Sequence, residues 1–307
     1  MHVYCKGFVF RILALLLSQA ACSPVLHAEN LKPEDLVIRH LNSIGAAEAR
    51  GASKSRVIQG TSEFIPLVGG SGRVQGTSGF VSQQRKVDIL MKLGNSDYRG
   101  EQFISDGDKV YVAATISNHR RSSFGDFVHS QDQIVREGLL GGALSTAWAL
   151  QNLDHNQPKL SYEGLKRVDG RQLHELRYRC KKNGDMNIHL YFDPETYRHV
   201  MTVYSLTAAA GFGTSVPSAT DQVGMTTPSN LPGGDPTQSS KQKEVRYTIE
   251  ERFSDFKTTD GLTLPEHYTI HFTEELQNGR TTVFEWEITA NEVSTNLSLD
   301  PRNFLVK

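Results

Sequence analysis

The strongest constraint in this sequence is a two-residue period of apolar and polar side chains that returns along most of the chain. In the stretch FSDFKTTDGLTLPEHYTIHF, Tyr268, Ile270 and Phe272 alternate with threonine and histidine. Successive side chains of a strand point to opposite faces of its sheet, so this pattern predicts a strand with one apolar and one polar face. The Asp-Gly pair at 260–261 supplies a turn before it, and Pro265 is placed where a strand begins.

The same period predicts about a dozen strands that follow one another closely. They cover residues 56–64, 73–82, 85–93, 101–105, 109–114, 159–168, 173–180, 187–192, 198–206, 245–249, 253–272 (a strand, a turn and a second strand) and 284–288. Short turns such as DGD at 106–108 separate them, so sequential neighbours are expected to be antiparallel. We therefore expect a mainly β protein, built on a strongly curved antiparallel sheet, closed or half-closed, with helices over its open side.

Two segments leave the strand pattern. Residues 31–50 have helical spacing and open with Pro-Glu-Asp, which suits a helix N-terminus. Residues 125–150 begin as a helix and continue as an uncharged run at 139–150, which we call the flap segment. This run is too short to cross a bilayer, so it is either a buried plug of the sheet or a mobile apolar lid. Its candidate ligand contacts are Leu139, Leu140, Leu144, Trp148 and Leu150.

The N-terminus has the layout of a secretory signal. Lys6 and Arg11 precede an apolar run, and small residues follow. Cleavage after Ala28 would remove residues 1–28 and leave a soluble chain. Alternatively, Ala-Ala-Cys at 20–22 resembles the end of a lipoprotein signal of residues 1–21, although Gln19 stands where that pattern wants an aliphatic residue, and Cys22 would then be acylated. Both interpretations predict an exported protein.

The exported part is expected to be a single domain, residues 29–307. Residues 208–243 are dominated by small and polar side chains and join strand to strand, so they predict a flexible loop inserted within the sheet.

Removing the signal takes away two basic residues and no acid, which leaves 31 basic residues against 34 acidic ones. That balance does not suit a nucleic-acid partner. Cys180 is expected to be a buried small hydrophobe, with no disulfide framework around it.

Four stretches occur in an order that is familiar from one family. They are VDGRQLHELRYR, NIHLYFDPETYRHVMTVY, FSDFKTTDGLTLPEHYTI and LSLDPRNF. Together they resemble the outer-membrane lipoprotein-sorting proteins, the periplasmic lipoprotein carriers and their relatives. The resemblance covers residues 31–307, with the loop at 208–243 as an insertion.

This resemblance implies a half-open barrel of about 11 strands around an apolar cavity capped by helices. It also implies a periplasmic or cell-envelope location and a cavity that holds a lipid, a lipoprotein acyl chain or a similar amphiphile. Envelope membrane proteins are further expected partners. The residues expected to line the cavity are Tyr247, Ile249, Tyr268, Ile270, Phe272, Phe284 and Trp286.

The ionisable residues do not predict catalysis. His267 and His271 would stand ~13 Å apart along a strand, too far to share a metal ion. Glu285 and Glu287 would stand ~6.6 Å apart, as a paired-carboxylate hydrolase requires, but alternating acids beside a tryptophan are typical of a solvent-facing strand. We expect a carrier without metal or cofactor. The alternatives are an envelope sensor or regulatory module of the same fold, which acts through protein contacts, and a hydrolase.

Overall fold

Twelve strands form one antiparallel sheet in the computed structural model, which describes residues 31–94, 98–115, 121–182, 185–209, 244–277 and 279–306. The strands are β1 Ser55–Val68, β2 Val74–Gln83, β3 Lys86–Leu93, β4 Gly100–Ser105, β5 Val110–Ala114, β6 Lys159–Val168, β7 Arg171–Arg179, β8 Asn187–Phe192, β9 His199–Ala209, β10 Glu244–Thr259, β11 Leu262–Leu276 and β12 Thr281–Thr295. The predicted signal, Cys22 and residues 210–243 of the predicted loop lie outside the described residues. Strand β9 itself extends to Ala209, into the range predicted as loop.

The sheet is open, as the family resemblance implies. Its strand order is β5-β4-β3-β2-β1-β12-β11-β10-β9-β8-β7-β6, so each strand pairs with its neighbour in the chain except where β1 meets β12. Strands β5 and β6 are the two edges. The fold prediction is confirmed, with twelve strands where the resemblance implied about eleven.

Five short α-helices accompany the sheet in the described part of the chain. They are α1 Pro33–Ile44, α2 Ala47–Ala52, α3 Ser123–Ser130, α4 Gln133–Arg136 and α5 Leu153–Asn156. Helices α3 to α5 and the flap segment belong to the connection between β5 and β6. Because those strands are consecutive in the chain but stand at opposite edges, this connection has to cross one face of the sheet, which we call the inner face.

The inner face carries the apolar half of the alternation. On β11, Tyr268, Ile270 and Phe272 are buried, whereas Thr269 and His271 between them are only half-buried. On β12, Trp286 pairs with Ile270 and is also buried. Burying a large apolar side chain contributes about 1.5–3 kcal/mol, so the residues on this face supply much of the folding free energy.

Strand β11 begins earlier than the sequence predicts. It starts at Leu262, so Pro265 lies inside the strand, opposite Phe256 of β10. Proline has no N–H to donate to a ladder. The pairing of β11 with β12 starts only at His267, so no ladder bond to β12 is lost at the proline.

Helix α3 covers the part of the inner face near the turn between β11 and β12. The ring of Phe124 lies 4.9 Å from that of Trp286 and 5.7 Å from that of Phe272. Phe127 packs in the same way on Tyr247, with 5.2 Å between the ring centres. These tilted aromatic contacts add to the stabilisation from area burial alone.

Gly138 immediately precedes the flap segment and lies against Ala147 near its other end, and we call this close approach the neck of the segment. Gly138 has a φ of 73°, and a Cβ at this position would lie 1.8 Å from the carbonyl oxygen of Ala147. We predict that Gly138→Ala lowers the free energy of unfolding by about 1 kcal/mol for the left-handed backbone and by about 1–3 kcal/mol more for the clash. Urea denaturation measures both terms. The matched control is Gly170→Ala, with a φ of 80° and open space around its Cβ, which should show the first term only. Equal losses in the two variants would contradict the close packing at the neck.

Candidate ligand-binding site

The flap segment lies on the inner face with its side chains buried. Leu139, Leu140, Leu144, Trp148 and Leu150 are each at most 2% exposed. The two ends of the segment meet, since the Ala149 N–H donates to the carbonyl of Gly138 at 3.1 Å. The segment is therefore a closed loop laid on the sheet.

The predicted cavity-lining residues join the flap segment in one apolar cluster. Tyr247, Ile249, Tyr268, Ile270, Phe272 and Trp286 belong to this cluster, and Phe284 packs against it while half-buried. Tyr268 lies beneath the flap segment and stacks on Phe253, with 5.0 Å between ring centres. The rings of Tyr247, Phe272 and Trp286, which lie under α3, form the other part of the apolar cluster. The structure thus brings the predicted residues together, and their role in ligand binding stays a prediction.

The flap segment touches both halves of the sheet. A Cβ on Gly141 would lie 2.9 Å from the ring of Phe80 on β2, so only glycine allows this approach. On the opposite side, the ring of Trp148 stacks on that of His199 of β9 at 4.9 Å. Beside the segment, a pocket of about 10 Å³ lies between His40, Ala143 and residues of β9 and β10. That volume suits about one water molecule.

A buried carboxylate on β10 anchors the flap segment. Glu251 is fully buried, and its Oε1 accepts the backbone N–H of Gly141 at 2.7 Å. The Tyr204 hydroxyl donates to Oε2 at 2.5 Å, and the Tyr268 hydroxyl donates to Oε1. Burial raises the pKa of Glu251 to about 7, although these three donors favour the ionised form.

A buried arginine on β1 forms the second anchor. Arg56 is 2% exposed, and its Nη1 donates to the carbonyl of Ala143 at 2.6 Å. Next to it, the Thr146 N–H donates to Ser82 Oγ of β2 at 3.0 Å. Burial lowers the pKa of Arg56 to about 10. Backbone groups of the flap segment thus find polar partners on β1, β2 and β10.

Two histidines enclose the indole of Trp148. Its Nε1–H donates to Nε2 of His40 at 2.9 Å, so His40 carries its own proton on Nδ1, which faces the Tyr197 carbonyl at 3.1 Å. Burial lowers the pKa of His40 to about 4. Burial also lowers the pKa of His199, and the neighbouring His40 adds to the effect. Both rings are neutral near pH 7, and a proton on Nε2 of His40 would break its bond to Trp148.

A second buried carboxylate holds helix α3. Glu101 accepts the Ser122 N–H at 2.7 Å and the Tyr98 hydroxyl at 3.1 Å, and Tyr98 in turn accepts Nε1–H of Trp286 at 3.2 Å. Burial raises the pKa of Glu101 to about 7. This chain of contacts links the start of α3 to the tryptophan that the helix covers.

Sequence reasoning missed these polar anchors. Glu251 follows Val245, Tyr247 and Ile249 in the apolar register of β10, and Arg56 stands two residues before the buried Ile58 of β1. A charged residue at an inward position was therefore a visible signal. The groups that Glu251 and Arg56 bind could not be predicted from the sequence, because Gly141 and Ala143 contribute backbone atoms.

The residues considered as catalytic candidates lie at separate places in the structure. His271 faces Glu285 at 3.1 Å on the outer face, and Cys180 is buried beside Glu137. Burial raises the pKa of Cys180. In the described ranges, no group of three or more His, Cys, Asp or Glu residues is placed to hold a metal ion. No helix among the described residues has the length and apolarity to span a membrane.

Comparisons with known proteins give similarity at the level of solved structures. No protein-family profile matches the chain, and no curated protein sequence matches it. A LolA superfamily protein, NE2245 from Nitrosomonas europaea, is 11% identical with a TM-score of 0.44, over 89% of this chain and 97% of that one. A putative outer membrane lipoprotein-sorting protein domain from Vibrio parahaemolyticus is 8% identical with a TM-score of 0.42, over 89% and 97%. The MucA/MucB complex of Pseudomonas aeruginosa gives 11% identity and a TM-score of 0.23, over 86% and 100%. Of these solved structures, the Vibrio domain carries the name of the family that the four sequence stretches resemble.

We predict that His40 makes the protein sensitive to acid. Its pKa is about 4 in the folded chain against 6.5 when unperturbed, so the unfolded chain binds the extra proton between these values and stability falls as the pH falls from 6.5 to 4. The loss is up to about 3 kcal/mol. Glu251 acts in the opposite direction between pH 4.5 and 7, because its folded pKa is raised.

Urea denaturation of the wild type and of His40→Gln at pH 7, 5.5 and 4 separates the two effects, because the contribution of Glu251 is common to both proteins. The stability advantage of the wild type should shrink by up to about 3 kcal/mol on acidification. His129→Gln, on the exposed surface of α3, is the control. A difference between wild type and His40→Gln that does not change with pH would contradict the prediction.

Proposed function

We propose that this protein is a non-catalytic carrier of the cell envelope that binds an acyl chain between its inner face and the flap segment. The observation that carries the proposal is the contrast between the two layers. The inner face is mostly apolar and aromatic, with a few buried polar side chains, and an uncharged loop that follows Gly138 covers it. An acyl chain could replace the flap side chains on that surface.

The flap side chains and an acyl chain would gain comparable free energies from burial on the inner face. Five large apolar side chains of the flap segment contribute roughly 10 kcal/mol by burial, at about 1.5–3 kcal/mol each. A sixteen-carbon acyl chain contributes about 12 kcal/mol, at about 0.8 kcal/mol per buried methylene. An exchange of one for the other is therefore close to balance. Loading and release would then depend on the polar anchors, which are Glu251, Arg56, Ser82 and His40.

The envelope location in this proposal rests on the signal layout of residues 1–28, or on acylation at Cys22 in the alternative interpretation. Cargo would be a lipid, a lipoprotein acyl chain or a similar amphiphile. The absence of catalysis is likewise part of the proposal. It is supported by the structural contacts of the buried carboxylates, since Glu101 accepts the Ser122 N–H of α3 and Glu251 accepts the Gly141 N–H of the flap segment.

The two tryptophans of the chain, Trp148 and Trp286, report on the two layers separately. In Trp148→Phe, we predict that dibromostearate quenches Trp286 in a saturable manner, because bromine quenches only at short range and Trp286 lies on the inner face. Unlabelled stearate should compete without quenching. In Trp286→Phe, unlabelled stearate should shift the emission of Trp148 to the red as the flap segment leaves the core.

The two variants serve as controls for each other, since each keeps one reporter in the same fold. Circular dichroism of both variants verifies that the sheet is retained. If dibromostearate leaves Trp286 unquenched and stearate leaves Trp148 unshifted, the inner face does not accept an acyl chain and the proposal fails.

A regulatory or sensor module of the same fold is the second candidate. The observation that favours it is the complete burial of the flap segment, which would then be a permanent core. Hydrogen exchange distinguishes the two. For a carrier, the amides of Gly141 and Thr146 should open with a free energy at least about 2 kcal/mol below that of the amides of β10 and β11. Equal protection of flap and sheet would favour the module.

A further inference from the structure

The guanidinium of Arg56 is buried without a counter-ion. Among the residues that the structure describes, Arg56 forms no ion pair, and its Nε has no hydrogen-bond partner. Its one hydrogen bond goes to the neutral carbonyl of Ala143 in the flap segment. Desolvation by burial lowers its pKa to about 10.

Such an arrangement is costly for a charged group. Removing a guanidinium from water is repaid only when an opposite charge and further hydrogen bonds replace its hydration. A backbone carbonyl engages one of the five N–H donors of arginine, and it carries no charge. The site is therefore built around a cation whose pairing is incomplete when the flap segment is closed.

The position of Arg56 relates it to the cargo site. It stands on the inner face, two residues before Ile58, and it contacts the flap segment itself at Ala143. Any movement that takes the flap segment off the sheet breaks this contact. The guanidinium would then face the newly opened apolar surface with all its donors free.

We propose that Arg56 pairs with an anionic headgroup, a carboxylate or a phosphate, of an amphiphile whose acyl chain occupies the inner face. This inference rests on the proposed function and narrows its cargo to amphiphiles with a negative charge next to the chain. Arginine suits both anions, because its planar fork binds two oxygens at once. The anion would replace the Ala143 carbonyl and so stabilise the open position of the flap segment.

The test compares ligands that share one chain and differ in the headgroup. Isothermal titration calorimetry below the micelle concentration measures decanoate, decyl phosphate, decanol and inorganic phosphate on the wild-type protein. We expect the two anionic amphiphiles to bind at least about tenfold more tightly than decanol, as a charge-assisted hydrogen bond provides. Whichever of decanoate and decyl phosphate binds more tightly identifies the preferred headgroup as a carboxylate or a phosphate. Inorganic phosphate should bind much more weakly than decyl phosphate.

Variants then assign the preference to Arg56. In Arg56→Met the ratio between anionic and neutral ligands should fall to about one, and in Arg56→Lys it should be reduced but still above one, because lysine keeps the charge and loses the fork. A looser flap segment would change the affinities for anionic and neutral ligands by the same factor. The ratio of these affinities therefore does not respond to it. Arg246→Met, which removes a 66% exposed charge from the outer surface, is the matched control and should keep the wild-type ratio.

The outcomes separate this inference from the proposed function. Equal binding of decanoate, decyl phosphate and decanol by the wild type would overturn the anion preference and leave the carrier proposal intact. An anion preference that survives in Arg56→Met would overturn the role of Arg56. Inorganic phosphate that binds as tightly as decyl phosphate would show an anion site unrelated to the acyl chain and would also overturn it. A failure of all the amphiphiles to bind would contradict the proposed function itself.

Discussion

The connection between β5 and β6 is the constraint on which the rest of this structure depends. The two strands are consecutive in the chain and stand at opposite edges of a twelve-stranded sheet, so the residues between them have to cross its inner face. A crossing over a face rich in aromatic side chains must itself be apolar, and the flap segment has no charged residue. Topology thus accounts for the burial of the segment and for its place above Tyr268.

A loop that crosses an apolar surface brings backbone polar groups with it, and these groups need partners. The protein supplies them from side chains at inward positions of the sheet, namely Glu251, Arg56 and Ser82. Burying one of these polar side chains stabilises the fold less than burying an apolar side chain would, since the lost hydration must be compensated by new contacts. The anchors attach the flap segment at a few points whose chemistry responds to protons and to anions. A wholly apolar plug would respond to neither.

Much of the fold could be predicted from the sequence. The alternation located β1 to β9 within four residues, whereas β10 and β12 are longer than predicted. The turns between the strands indicated antiparallel neighbours. The boundary of β11 was wrong, because the cost of Pro265 depends on whether β12 pairs beside it, and the local pattern does not contain that information. The apolar half of the candidate site was also visible, in the flap segment and in the inward residues of β10, β11 and β12.

The sequence by itself determined which faces of the strands are apolar and which loop is uncharged, because these properties follow from the order of side chains along the chain. Only the tertiary structure decided that the loop lies on that face, and that Glu251 and Arg56 bind it through the backbone of Gly141 and Ala143. Backbone donors and acceptors are the same at every residue. Their partners are therefore chosen by proximity in the folded sheet, which no pattern of side chains records.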